Sequence, residues 1–342
     1  MICRNPHCET PVYFFFEEII VKRLLFGFVS VLVLFAAGIA DAADYPTRPL
    51  RIVVPFPPGG TIDVQARSLG AQLFETFKQP VIVDNRPGAG TTIGTGYAAK
   101  ATPDGYTLLL ALRTIAVSPA VYAKLSFDPV KDFEPISLVE FTYWVFCTHP
   151  SLPARTFKEF MTLAKARPGV LNYAVTGIGT DNHLTMAQFQ RAAGIQMGQI
   201  PYSGGGPAVI ALLGGQVDVM LVPGPLSIPH IKSGKMRPIA ILANARAPSL
   251  PEVPTMAEEG YKGFGGGGWS GLFAPKGTPD KIIQLLNAEV QKYVRRNRET
   301  GTLFIEGIQV PESSTPKAMA TLVREEVAKW QRVAREIGIK PE

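Results

Sequence analysis

The sequence predicts an α/β protein built as two lobes, and three observations carry that reading. Short apolar runs alternate with longer amphipathic stretches through most of the chain. The first of these follow the order β-α-β-α-β, which describes a parallel sheet with helices on its faces. Two long extended runs, near 141–148 and 269–275, could both be strands passing between domains. The first lobe is then discontinuous, 44–142 together with 269–342, and the second is 143–268.

The chain has 342 residues, and the first 42 read as a signal peptide. Lys22-Arg23 precede the apolar run LLFGFVSVLVLFAA, and Ala40-Asp41-Ala42 follows as a small-residue cleavage site. The run falls short of the roughly 18–20 residues that span a bilayer. Residues 1–20 supply acidic and aromatic side chains where a basic start is expected, so translation beginning near Val21 would place them upstream of the true start. Cys3 and Cys8 lie in that segment, which leaves Cys147 alone, and a lone cysteine makes no intramolecular disulfide. Beyond residue 42 there are 31 basic and 24 acidic side chains, dispersed and without a polybasic run. That pattern argues against nucleic-acid binding and tolerates an anionic ligand.

LRIVVPF opens the first lobe as a strand, and the Pro-Pro-Gly-Gly stop at 57–60 ends it. IDVQARSLGAQLFETF has apolar residues at helical spacing, PVIVDN is a second strand, and a helix is expected around Ile93–Ala101. YTLLLAL at 106–112 is the third strand. FEPISLVEFTYWVFCTHP, 133–150, is a long extended run. The second lobe continues with the helix TFKEFMTLAKARP, the strand LNYAVTG, the helix NHLTMAQFQRAAG, the helix PAVIALLGG and the strand QVDVMLV. WSGLFAPKG, 269–277, is extended and apolar, and two amphipathic helices complete the chain. Gly265–Gly268 stand where either a hinge or a simple loop would serve.

The turn VVPFPPGGTID, 53–63, holds backbone N–H groups open at a helix start, where an anion is stabilised. Gly59, Gly60 and Thr61 are its donors. TGIGTDNHLT, 176–185, repeats the device with Thr180 and Asn182. Each loop alone reads equally well as an ordinary βα connection with a helix cap. Two such turns facing one another would hold a carboxylate without a charged side chain. No GxSxG, HExxH or CxxC occurs, and the glycines at 88, 90 and 94 are one residue too widely spaced for GxGxxG. Neither catalytic residues nor a metal or cofactor site is therefore expected.

YPTRPLRIVVPFPPGGTID, VDNRPGAGTTIGTGYAAKATPDGYTLLL, PYSGGGPAVIALLGGQVDVM, PHIKSGKMRPIAI, LPEVPTMAEEG and WSGLFAPKGTP, in this order, resemble the extracytoplasmic solute receptors of tripartite tricarboxylate transporters, the Bug receptors. The resemblance runs from about Asp44 to the last helix. It implies a two-lobed periplasmic binding protein fold of type II, with two interdomain crossover strands and the ligand cleft between lobes. It further implies a monomeric receptor that captures a small carboxylate (a dicarboxylate, tricarboxylate or aromatic acid) and delivers it by domain closure to a permease of one large and one small membrane subunit. The candidate ligand-binding set is Phe56, Pro58, Gly59, Gly60, Thr61, Asp63, Arg113, Thr114, Gly177, Gly179, Thr180, Asn182, His183, Tyr202 and Ser203.

Several positions depart from the family's pattern. Leu112-Arg113-Thr114 replaces small polar residues after the third strand. Arg113 either pairs with a ligand carboxylate or points to solvent. Ser203 stands for a frequent lysine, and Pro223-Gly224 for a frequent Asp-Asn. These changes leave a more apolar pocket in which Phe56 and Trp144 are candidate walls, although core or hinge packing would equally account for Trp144. Two other functions remain open on sequence: a module presenting its ligand to a signalling partner, and a secreted hydrolase or isomerase using His183 with Asp181 or Asp218.

Overall fold

The computed structural model describes residues 45–264, 267–300, 308–309, 314–339 and 341. The expected signal peptide, the alternative start near Val21, and Gly265 and Gly266 of the glycine run lie outside the described residues. None of the helices among the described residues is long and apolar enough to cross a membrane.

Two sheets organise the chain. In the first, β1 (Leu50–Val54) lies between β2 (Val81–Asn85) and β3 (Thr107–Leu112), and all three are parallel. The sheet continues through β10 (Gly268–Pro275), β4 (Phe133–Thr142) and β11 (Ile308–Gln309), in the order β11-β4-β10-β3-β1-β2. The second sheet has the order β7-β6-β8-β5-β9, formed by β5 (Trp144–Thr148), β6 (Asn172–Val175), β7 (Gly198–Pro201), β8 (Val219–Pro223) and β9 (Arg237–Leu242).

Both sheets are mixed, not purely parallel. β4 and β10 pair antiparallel, as do β10 and β3, and β5 runs antiparallel to both β8 and β9. The cause is the route of the chain. A strand made by a right-handed βαβ crossover returns parallel, whereas β5 and β10 enter their sheets from the other sheet. β4 ends at Thr142 and β5 begins at Trp144, so Tyr143 alone separates the two sheets at the first passage. The second passage lies between Leu242 and Gly268, and Gly268 then pairs with Thr142.

The helices follow their apolar stripes. α1 (Thr61–Phe77) buries Ile62, Ala66, Leu69 and Leu73, one side of a 3.6-residue period. α2 (Thr92–Ala99) and the one-turn α3 (Thr114–Val117) complete the first run of helices. α4 (Phe157–Ala166) starts at Thr156, whose hydroxyl accepts the Glu159 N–H, and buries Phe157, Phe160 and Met161. α5 (Asp181–Ala193) is capped by Thr180 and closed by Gly194 in the left-handed region. α6 (Gly205–Leu213), α7 (Gly224–Lys232), α8 (Asp280–Thr300) and α9 (Pro316–Glu336) follow.

Hydrophobic clusters pack against both sheets. Phe146 on β5 meets Phe157, Phe160 and Phe189 edge-on, with ring centroids 6.0, 5.1 and 5.3 Å away. Val53, Leu109, Phe133 and Phe273 pack with Met319 of α9 in another cluster. Gly94 lets α2 come close to the end of β1: a Cβ there would stand 2.5 Å from the Arg86 carbonyl and 3.0 Å from Pro55 Cα. Both obstacles are backbone, so the space cannot open by a rotamer change. Gly94→Ala should therefore destabilise the fold by about 1–3 kcal/mol, read by denaturant unfolding. An unchanged midpoint would mean that α2 does not set the position of the Pro55–Phe56 turn.

Candidate ligand-binding site

β1 delivers its C-terminal end to the turn Phe56–Gly60, and α1 begins at Thr61 with Gly60 as an N-cap that offers no side chain. The four amides at a helix start have no intrahelical acceptor. Asp63 claims one of the turn's N–H groups: Gly59 donates to its Oδ2 at 3.0 Å, and Arg67 grips the same carboxylate from one turn further on. Burial raises the Asp63 pKa, but the Arg67 and Gly59 hydrogen bonds outweigh it and hold the carboxyl below its usual range. Asp63 thus fixes the shape of the turn. The N–H groups of Gly60, Thr61 and Ile62 have no acceptor among the described residues.

The loop at 176–183 is built differently. Thr180 Oγ1 donates to the Gly177 carbonyl at 2.8 Å and accepts the His183 N–H at 3.4 Å, so it serves as the helix cap. The Gly179 N–H goes to His183 Nδ1 at 3.2 Å, and the Asn182 N–H goes to Asp181 Oδ1 at 3.0 Å. Asn182 Nδ2 is spent on the Leu221 carbonyl, while its Oδ1 is buried without a partner. Burial holds the His183 imidazole below its ordinary range, against a side-chain hydrogen bond to Gln199 that favours the protonated ring.

A third turn supplies what this loop does not. α6 starts with Gly205-Gly206-Pro207 behind the N-cap Gly204, again with no side-chain cap. The Gly205 and Gly206 N–H groups have no acceptor among the described residues. Gly204 approaches Pro57 of the first lobe closely enough that a Cβ would lie 3.3 Å from Pro57 Cδ. Tyr122 also bridges the cleft, donating its hydroxyl to the Ile178 carbonyl at 3.0 Å.

Together these turns border an inner cavity of about 90 Å³. Its lining includes Phe56–Pro58, Gly60–Ile62, Thr176, Asp181, Asn182, Gly204–Pro207, Pro223, Trp144 and Trp269. A shallower outer groove shares Phe56, Pro57 and Thr176 with it and runs past Gly88–Thr91, Gly177, Thr180, Tyr202 and Ser203. Of the residues chosen on sequence, Phe56, Pro58, Gly60, Thr61 and Asn182 line the inner cavity, and Trp144 joins them. Gly177, Thr180, Tyr202 and Ser203 line the outer groove. Gly59, Asp63, Thr114, Gly179 and His183 line neither and support the turns from behind.

Arg113 is neither in the cleft nor in solvent. It is 2% exposed, and its Nε meets Asp181 Oδ2 at 3.3 Å. Its Nη1 donates to the Gly267 carbonyl, and the guanidinium lies between the rings of Trp144 and Trp330, 5.0 and 5.1 Å from their centroids. Thr114 Oγ1 donates to the other oxygen of Asp181 at 3.2 Å. Asp181 sits in the first turn of α5, so a strand-end arginine of one sheet is neutralised by a helix of the other lobe.

Sequence reasoning missed Glu140 altogether. This β4 residue lines the inner cavity at 6% exposure, and Gln65 of α1 donates to its Oε2. Burial pushes its carboxyl up to about 8. Among the described residues, no lysine, arginine or histidine lines the inner cavity. The triple glycine of the third turn, also missed as a donor, carries the same glycine-then-helix signal as the first turn.

Residues 65–339 match the family model described as tripartite tricarboxylate transporter family receptor. The chain is similar to the protein BugT of Bordetella pertussis, 39% identical over 309 residues that cover 89% of this chain and 94% of BugT. Among solved structures it is similar to the periplasmic binding protein BugD, with TM-score 0.81 and 34% identity over 87% of this chain and all of BugD. It is likewise similar to R. palustris Rpa4515 with adipate, with TM-score 0.82 and 33% identity over 87% of this chain and all of that one.

Removing Asp181 strands a buried guanidinium. Asp181→Ala should cost about 3–5 kcal/mol of stability, measured by denaturant unfolding; a loss below 1 kcal/mol would make the pair behave as a surface contact. Glu140 sets a pH dependence of defined sign. Its folded pKa of about 8 lies above the ordinary 4.5, so between those values the folded state keeps a proton that the unfolded state releases. Stability attributable to Glu140 is present at low pH and falls as pH rises through that window, by on the order of a few kcal/mol. His183 acts in the opposite sense and only below its ordinary 6.5. Stability against unfolding should therefore fall between pH 7 and 8 in the native protein and stay level in Glu140→Gln; parallel curves would contradict the assignment.

Proposed function

The chain belongs to the tripartite tricarboxylate transporter family of receptors, and from that premise we propose that it captures a small carboxylate in the inner cavity and delivers it to a membrane permease. The observation that carries this reading is the pair of glycine-rich helix starts. The N–H groups of Gly60, Thr61 and Ile62 and those of Gly205 and Gly206 have no acceptor among the described residues and belong to turns that line one cavity. Unpaired amides together with the positive ends of two helix dipoles stabilise an anion without a basic side chain. The adipate held by Rpa4515 is a ligand of the same class.

In this reading the first lobe comprises 44–142 and 269–342 and the second 143–268. A ligand touching both lobes favours their closed arrangement by its differential affinity, and the permease, made of a large and a small subunit, recognises that arrangement. The receptor works as a monomer in the periplasm after loss of residues 1–42. Binding proceeds without turnover. Asp181, one partner available to His183, is bonded to Arg113 and Thr114, and Asp218, the other, accepts the Asn172 N–H at 2.8 Å.

Roles follow for the individual residues. Gly60 and Thr61 donate to the carboxylate from the first lobe, Gly205 and Gly206 from the second. Phe56, Pro58 and Trp144 form apolar walls, and Asn182 offers its unpaired Oδ1 to a ligand hydroxyl or amine. Gly59, Asp63, Gly179, Thr180 and His183 hold the turns in shape. Gly177, Tyr202 and Ser203 line the path of entry.

Gly60 gives a clean test, because a Cβ built there meets nothing nearer than the Pro57 carbonyl at 4.0 Å and its φ of −83° suits any residue. Thermal-shift titration with adipate, succinate, benzoate and 6-aminohexanoate should raise the melting temperature for at least one of them, with no product formed. Gly60→Val should keep the melting temperature of the free protein and weaken that ligand at least tenfold, about 1.4 kcal/mol. Unchanged affinity in a folded variant would remove the first turn from the site.

A further inference from the structure

We propose that Glu140 reads the far end of the ligand and selects a carboxylate that carries a positively charged nitrogen over one that carries a second carboxylate. The proposal rests on the carboxylate reading of the cleft given above. It starts from the charges that the inner cavity contains. Glu140 and Asp181 are the ionisable side chains in its lining among the described residues, and both are acidic.

The two acids are not equivalent. Asp181 is held by the Arg113 guanidinium on one oxygen and by the Thr114 hydroxyl on the other. Its charge is balanced inside the protein before any ligand arrives. Glu140 has no such partner. From α1 it receives the amide of Gln65, and from α8 the group that faces it is the Tyr293 phenol, whose own pKa burial pushes up to about 12. Its cross-strand neighbour on β10 is Ser270, whose hydroxyl is buried without a partner. Gln65 Oε1 is a second buried acceptor without a donor beside it. The surroundings of Glu140 therefore consist of neutral polar groups, donors and acceptors alike, and contain no cation among the described residues.

A ligand anchored by one carboxylate at the glycine turns brings its other end into this cavity. A second carboxylate there leaves an unpaired negative charge in a low-dielectric space, beside a Glu140 that must stay protonated. An ammonium or alkylated nitrogen instead forms an ion pair with Glu140 once that carboxyl gives up its proton. Phe56, Trp144 and Trp269 line the same cavity, and aromatic rings attract cations by their quadrupole. In the empty protein burial pushes Glu140 up to about 8, which leaves it mostly protonated at neutral pH. A cationic ligand reverses that balance, so its binding expels the proton from Glu140 into solution.

Calorimetric titration with matched pairs tests the proposal: adipate against 6-aminohexanoate, and glutarate against 5-aminopentanoate. In the native protein the amino acid of a pair should bind at least about tenfold more tightly than the dicarboxylate. Titrations at pH 7 in buffers of different ionisation enthalpy should show a proton released with it. Glu140→Gln removes the charge at nearly constant shape and should collapse the ratio to near one and abolish the proton release. The native ratio and proton count stand as tests on their own if that variant does not fold. Tighter binding of the dicarboxylates by the native protein, or a ratio that Glu140→Gln leaves unchanged, would overturn the role of Glu140 while leaving the carboxylate receptor intact. Binding of no member of either pair, and of no other carboxylate, would overturn both readings.

Discussion

Arg113 stands at the junction of the two sheets, where an unbalanced guanidinium would be costly. Its neutralisation by Asp181 ties the end of β3 to the first turn of α5 across the lobes. The same side chain holds the Gly267 carbonyl next to the strand that returns to the first sheet, and it is sandwiched by Trp144 and Trp330. One buried charge thus connects both passages of the chain, the last helix and the helix start that borders the cavity. Burying a pair of this kind yields little net stability, since desolvation offsets the attraction. What it imposes is geometry, because either partner alone is strongly disfavoured. With Asp181 committed in this way, Glu140 is left as the one lining carboxyl without a cation among the described residues.

The cavity obtains its anion-binding character from backbone. Prolines and glycines end β1 abruptly and bring Gly60 and Thr61 to a helix start without a capping side chain. Three helices take a first amide into a side-chain cap, at Thr156, Thr180 and Thr315. α1, α2, α3, α6 and α7 have no such cap, and of these α1 and α6 begin with unpaired amides at the inner cavity. A glycine N-cap costs only about a few tenths of a kcal/mol relative to a good cap. Two such starts facing one space leave their amides open to another acceptor, which is the part a carboxylate plays in this account.

Much of this was legible in the sequence where the signals are local. The alternation of apolar runs and amphipathic stretches located β1 to β3 and α1, and the Pro-Pro-Gly-Gly turn marked the first half of the site, because punctuation by proline and glycine acts within a few residues. The order of six motifs carried the family. What sequence could not show depends on partners far apart in the chain. Arg113 and Asp181 are 68 residues apart, and Gln65 and Glu140 are 75 apart. Only sheet pairing and lobe contact bring them together, so Arg113 looked like a ligand contact and Glu140 like one more residue of an extended run. Thr180 carries two readings at once: a hydroxyl at a glycine-rich turn can serve a ligand or cap a helix, and here it caps α5 through its bonds to Gly177 and His183 while lining the outer groove. The triple glycine at 204–206 was readable by the rule applied to the first turn.

The central claim is that the ligand's carboxylate sits between the two uncapped helix starts. A crystal structure of the protein grown with the carboxylate that stabilises it most is the most direct test. The account predicts one carboxylate group within hydrogen-bonding distance of the Gly60 or Thr61 N–H on one side and of the Gly205 or Gly206 N–H on the other. Density for the ligand in the outer groove beside Gly88–Thr91, with those four amides contacting only solvent, would contradict it.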